Sequence, residues 1–171
     1  MKKIYKRYGF TLIELTIYIG LLGILIAVMS QVFVATLSVK LDSEGNAFVV
    51  QDGNYILNRI NYDIHRASRI ISPTIGQTGS GLSLGIIENG VERVYQYTLS
   101  NQSLTLSDGI TTDAVHGGST LISNFQVTRV GNSLSVPDAK DTVQVIFTVA
   151  SNYVVSSGVQ QMTFQTTEGL R

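Results

Sequence analysis

The sequence predicts an α+β chain in which one long N-terminal hydrophobic helix, membrane-spanning at first and amphipathic later, packs on a C-terminal antiparallel β-sheet. Three observations carry this. From Tyr8 to Val39 the only ionisable side chain apart from two tyrosines is Glu14. Leu57, Ile60, Ile64, Ala67 and Ile71 then recur at spacings of three and four, which places them on one helical face. Beyond Pro73, runs rich in β-branched and aromatic residues alternate with turn-forming clusters.

The first helix follows from length and composition. Residues 10–39, rising about 1.5 Å each, span roughly 45 Å, against a hydrocarbon core of about 30 Å. Lys2, Lys3, Lys6 and Arg7 precede the span, and the next basic residue is Lys40. That asymmetry keeps the N-terminus cytoplasmic and sends the remainder outward. A cleaved secretory signal fits poorly: its apolar core is about 7–15 residues long. The best small-residue site, Val28-Met29-Ser30, is a weak one. A plain signal anchor fits the length but leaves Glu14 unexplained, since a carboxylate near the middle of a membrane helix costs about 2.5–3.5 kcal/mol. The bland alternatives are that Glu14 lies shallow enough to reach the headgroups, or is protonated.

Gly9-Phe10-Thr11-Leu12-Ile13-Glu14, behind a short basic leader and ahead of an unbroken apolar helix, resembles the processing signal of type IV prepilins and pseudopilins. The resemblance implies that residues 1–9 are a leader peptide and that a prepilin peptidase/methyltransferase cuts between Gly9 and Phe10 and methylates Phe10. It also implies that Glu14 meets the Phe10 amine of a neighbouring subunit during assembly. A glycine at the scissile bond lets an enzyme approach the backbone closely. Opposite charges attract strongly in a low-dielectric bundle, although desolvation offsets much of the gain, so register is the expected benefit. Gly23 falls where the family often carries a glycine, whereas Gln31 stands near the position of its helix-bending proline.

Within the family, "DIHRASRIISP", "VYQYTLSNQSLTL" and the terminal Gly169-Leu170-Arg171 are most similar to J-type pseudopilins of type II secretion and W-type minor pilins. The implied role is a structural subunit of a type IV pilus, a type II secretion pseudopilus or a competence-type filament. Its implied partners are other pilin or pseudopilin subunits, an inner-membrane assembly platform and the lipid bilayer. The implied location is the bacterial inner membrane, crossed once with the head outside, and afterwards the filament. The alternative is a membrane-anchored extracytoplasmic binding domain that does not polymerise.

After the assembly helix at 10–39, the amphipathic helical part is expected over 40–72 and the β-rich head over 73–171. Gly inside a helix costs about 1 kcal/mol relative to Ala, so Gly45-Asn46 and Gly53-Asn54 predict bends or a break. Pro73 disfavours helical geometry in its predecessor, which predicts the helix end near Ser72. Strands are expected over 82–87, 91–99, 103–106, 121–130, 142–150 and 159–167. Val143, Val145 and Phe147 alternate with Gln144, Ile146 and Thr148, predicting one well-buried face.

Chemistry is sparse. Twelve acidic and twelve basic residues balance, so no basic footprint for direct nucleic-acid binding exists. The absence of cysteine excludes disulfides, thiolate metal sites and cysteine nucleophiles. The two histidines, His65 on the helix and His116 beside Gly117-Gly118, read as interface and loop residues, and neither H-E-x-x-H nor G-x-S-x-G occurs. Gly79-Ser80-Gly81 lacks a phosphate-binding lysine and reads as a flexible turn. Asp108, Asp113, Asp138 and Asp141 fall in expected loops; Asp138 and Asp141 are weak calcium candidates, and the EF-hand spacing is missing. No enzyme, cofactor or catalytic residue is expected.

Overall fold

A computed structural model describes residues 9–131, 141–155 and 158–171. The four basic leader residues and Asp138 lie outside them. A single helix, α1, runs Leu12–Arg66, and nine strands follow: β1 Ala67–Ser72, β2 Thr78–Gly79, β3 Gly81–Glu88, β4 Val91–Ser100, β5 Ser103–Ser107, β6 Thr112–Ala114, β7 Thr120–Val130, β8 Thr142–Val155 and β9 Gly158–Gly169. The chain divides into two compact units, up to Lys40 and from Leu41 onward.

In the first unit α1 stands alone, and its most apolar window has no buried share. The hydroxyls in it are satisfied locally: Thr16 donates to the Ile13 carbonyl, Ser30 to Ile26, Thr36 to Val32 and Ser38 to Ala35, each at 2.8 Å. Such back-bonding removes the cost of carrying a hydroxyl through hydrocarbon.

In the second unit Gly45, Val49, Gly53, Ile56, Ile60, Asp63 and Ile64 form the buried face of α1. Their spacing of three and four is that of one helical stripe. The strands form two antiparallel sheets, in the orders β1-β3-β4-β5-β6 and β2-β7-β8-β9. Leu82, Leu84, Ile86, Tyr97 and Leu104 of the first and Ile122, Val127, Val143, Val145, Phe147 and Val149 of the second share one core with the helix. The α+β class therefore holds, with two sheets in place of one. Val143, Val145 and Phe147 are fully buried, as their alternation predicts.

Three local expectations are corrected. The helix stops at Arg66, and residues 67–72 form β1 on β3, paired Ala67 to Ile86 and Ile70 to Leu84. Register shifts between Ala67 and Arg69 and between Ile70 and Ser72 bury two strand residues three apart. Ile71, expected on the helical stripe, is exposed, and Ile70 is buried in its place. Second, α1 continues unbroken through Gly45 and Gly53. A Cβ on Gly53 would lie 2.1 Å from Cζ of Phe164, so this glycine admits an aromatic ring. Third, Gly79 and Gly81 belong to β2 and β3, and a Cβ on Gly81 would sit 3.1 Å from the Tyr97 carbonyl. Close backbone approach, not flexibility, explains that glycine.

Candidate functional site

The N-terminal segment is built around the start of α1. Thr11 precedes the first helical residue, and its hydroxyl accepts the Glu14 backbone N–H at 3.3 Å. Thr11-x-x-Glu14 has the spacing of a capping box, in which a hydroxyl and a carboxylate serve the orphan N–H groups of the first turn. A negative charge there also interacts favourably with the helix dipole, by about 0.3–1 kcal/mol. Glu14 thus has a local reason to stand at the head of an apolar helix, which sequence reading missed although the four-residue pattern displays it. Phe10 packs edge-on against Tyr18 with ring centroids 6.2 Å apart.

Eighteen large apolar side chains from Leu12 to Val39 are exposed in the chain. At roughly 1.5–3 kcal/mol for each such side chain removed from water, the total reaches tens of kcal/mol. Net folding stability is about 5–15 kcal/mol. The segment requires lipid or other helices around it.

Residues 4–30 match the family model described as the prokaryotic N-terminal methylation motif. The motif contains Gly9, Phe10 and Glu14, and together with the α+β build it supports a type IV pilin-like precursor. The apolar helix and the motif are consistent with membrane anchoring. No curated protein and no solved structure matches the chain.

Polar chemistry in the head serves packing. The carboxylate of Asp63, fully buried, accepts Arg59 Nε at 3.1 Å, Arg66 Nε at 3.0 Å and the Tyr97 hydroxyl at 2.5 Å. Arg66 also donates to Glu88 at 3.0 Å and lies over the rings of Tyr62 and Tyr95 at 5.0 and 4.7 Å. Burial, followed by the Asp63 charge, pushes the Tyr97 hydroxyl far above its ordinary pKa. Burial works against the Arg59 and Arg66 cations, yet Asp63 together with Tyr97 at Arg59, and Tyr95 together with Asp63 at Arg66, outweigh it and hold both above their ordinary values. The network fastens the end of α1 to the first sheet. Asp63 lies off the apolar stripe of Leu57, Ile60 and Ile64 in the sequence, and the flanking Arg59 and Arg66 are the available sign that it is paired.

Asp52 ties the helix to the loop before β7 by accepting the Gly117 N–H at 2.9 Å and the buried Thr120 hydroxyl. His116 lies in this loop, with Nε2 3.0 Å from Ser103 Oγ and Nδ1 2.8 Å from the Gly117 carbonyl. His65 Nε2 stands 3.2 Å from Glu168, which makes it a contact between α1 and β9. Asp141 is taken up by Arg129, whose Nε lies 3.1 Å from it and whose Nη1 reaches the Ile70 carbonyl at 2.9 Å. Both guanidinium contacts fall on Asp141 Oδ2, and the other calcium candidate, Asp138, lies outside the described residues. Among the described residues no group of three His, Asp or Glu side chains converges as a metal site. A shallow cleft of about 200 Å³ between α1 and the β5–β6 turn is lined by Tyr55, Arg59, Tyr95, Asp108 and Asp113. Asp108 is engaged there by the N–H groups of Ile110 and Thr111 at 2.8 and 2.7 Å.

Proposed function

We propose that the chain is a structural pilin-like subunit, cut between Gly9 and Phe10, methylated on Phe10 and assembled into a filament through α1. The observation that carries the reading is the methylation motif over residues 4–30, leading directly into a helix whose apolar side chains are exposed on all sides. Lipid covers that surface before assembly and neighbouring helices cover it afterwards. The precursor crosses the inner membrane once, with its head outside.

In the assembled state Glu14 pairs with the new Phe10 ammonium of an adjacent subunit. An unpaired charge penalises any misaligned neighbour, so the pair sets register more than it adds stability. Residues 1–9 act as leader, 10–39 as assembly helix and the remainder as head. The filament is a type IV pilus, a type II secretion pseudopilus or a competence-type fibre, in which the chain is a minor subunit of J or W type. Its partners are the prepilin peptidase, the other subunits and the assembly platform.

Co-expression of tagged wild-type and Glu14→Ala chains with a filament system tests this. The variant is expected to be cleaved as wild type and to be depleted from sheared filaments. Equal incorporation of the two contradicts the pairing.

A further inference from the structure

We propose that the cleft between α1 and the β5–β6 turn binds a single sugar ring, with Tyr55 as its stacking face, Arg59 as donor and Asp108 and Asp113 as acceptors. The inference is independent of processing and assembly and gives the folded head a ligand of its own.

Tyr55 and Arg59 stand four residues apart on α1 and so share a face, with Asp63 four residues farther on. The three side chains descend from solvent into the core. Tyr55 is 55% exposed, the Arg59 side chain 34%, and Asp63 is fully buried. Asp108, Thr111 and Asp113 supply the facing wall. At about 200 Å³ the cleft is smaller than the pockets of about 300–1,000 Å³ that take drug-sized ligands, which suits one ring.

Both polar walls are held from behind and open in front. Arg59 gives Nε to Asp63 at 3.1 Å, and its guanidinium carries further N–H donors in a fixed fork. Asp108 uses Oδ1 for the Ile110 and Thr111 N–H groups at 2.8 and 2.7 Å, while Oδ2 takes no hydrogen bond among the described residues. Asp113 accepts the Thr111 hydroxyl on Oδ2 at 3.3 Å and nothing on Oδ1 among those residues. Groups already fixed lose little freedom when a ligand arrives.

Charge selects the ligand class. A free anion would meet Asp108 and Asp113, and a free cation would meet Arg59, with Arg93 also within electrostatic reach of Asp108. A sugar is neutral, and each of its hydroxyls both donates and accepts. Its rim therefore satisfies the guanidinium and the carboxylates together. Its C–H face covers the exposed apolar ring of Tyr55, whose polar tip stays in water. A small zwitterion carries both signs but offers that ring no apolar face.

Saturation-transfer NMR on the full-length chain tests this in lauryldimethylamine oxide, a detergent without a sugar head. The probes are the methyl glycosides of glucose, galactose, mannose and N-acetylglucosamine, with glycine as the zwitterion. The variants are Tyr55→Ala and Asp113→Ala. The Tyr55 ring is exposed and Asp113 has only the long Thr111 contact, so both variants are expected to unfold at the wild-type urea midpoint. The expected result is saturation of the ring protons of at least one glycoside, with affinity weakened about tenfold or more in each variant by loss of a charge-assisted bond or a stacking face. Saturation of no glycoside overturns the proposal, as does saturation that either variant retains in full. Saturation of glycine alone assigns the cleft to a zwitterion and overturns it too.

Discussion

Replacing Gly53 by Ala sets two opposing magnitudes against each other in one helix position. Ala is favoured over Gly inside a helix by about 1 kcal/mol, so propensity alone makes the substitution stabilising. The structure reverses the sign. The added Cβ would meet Cζ, Cε2 and Cε1 of Phe164 at 2.1, 2.2 and 2.5 Å, closer than real Cβ contacts come. The ring cannot retreat easily, because its other face stacks on Phe147 at 5.6 Å and 16°, and Phe147 packs in turn against Phe125 at 6.5 Å. Overpacking of this kind costs about 1–3 kcal/mol. With the propensity gain subtracted, Gly53→Ala is expected to destabilise the head by up to about 2 kcal/mol. Urea unfolding of the full chain in detergent, followed by tyrosine near-ultraviolet dichroism, measures it. In a Phe164→Leu background the clash is gone, and the same substitution is expected to be neutral or stabilising. A gain of about 1 kcal/mol on Gly53→Ala in the wild-type background, the bare helix-propensity value, would refute the packing role of this glycine.

Asp63→Ala takes the buried partner from Arg59 and the Tyr97 hydroxyl, while Arg66 keeps Glu88, and is expected to cost about 3 kcal/mol in the same assay. Tyr97→Phe removes one charge-assisted bond and is expected to cost about 1.5–3 kcal/mol, but much less once Asp63 is gone, so the double-mutant cycle reports their coupling. Asp108 provides a pH test: the backbone N–H groups of Thr111 and Ile110 hold its pKa below the ordinary 3.8. A depressed carboxylate contributes stability above its unfolded pKa and loses it as pH falls through the folded value. Asp108→Asn is therefore expected to be less stable than wild type at neutral pH, with the gap closing in acid; a gap independent of pH argues against it.

The fold class was legible because its signals are long. Thirty nearly uncharged residues and six β-rich segments between turn formers survive any local error, and Asn89-Gly90, with φ of 52° and 79°, closes the β3–β4 hairpin as that dipeptide predicts. The errors came where one pattern imitates another. Ala67 and Ile71 continued the three-and-four spacing of the helix, but they lie in β1, where Ile70 is buried and Ile71 exposed, and Gly53 looked like a helix breaker because its partner, Phe164, is more than a hundred residues away in sequence. The strands β2 and β6, of two and three residues, are too short to carry a period. The burial of Asp63 was not legible, because helical spacing shows which side is buried only when the side is apolar. At the N-terminus the Gly9–Phe10 and Glu14 pattern was readable in full, but Thr11 was not recognised as the cap that holds the Glu14 N–H.

The central claim is that this chain is a precursor whose first helix is exposed by proteolysis for assembly. Mass spectrometry of the N-terminus, after expression with and without a prepilin peptidase, tests it most directly. The predicted result is a chain beginning at methylated Phe10 when the peptidase is present and an intact leader when it is absent. A chain left uncut in the presence of the peptidase, or one cut after Ser30, would contradict the claim.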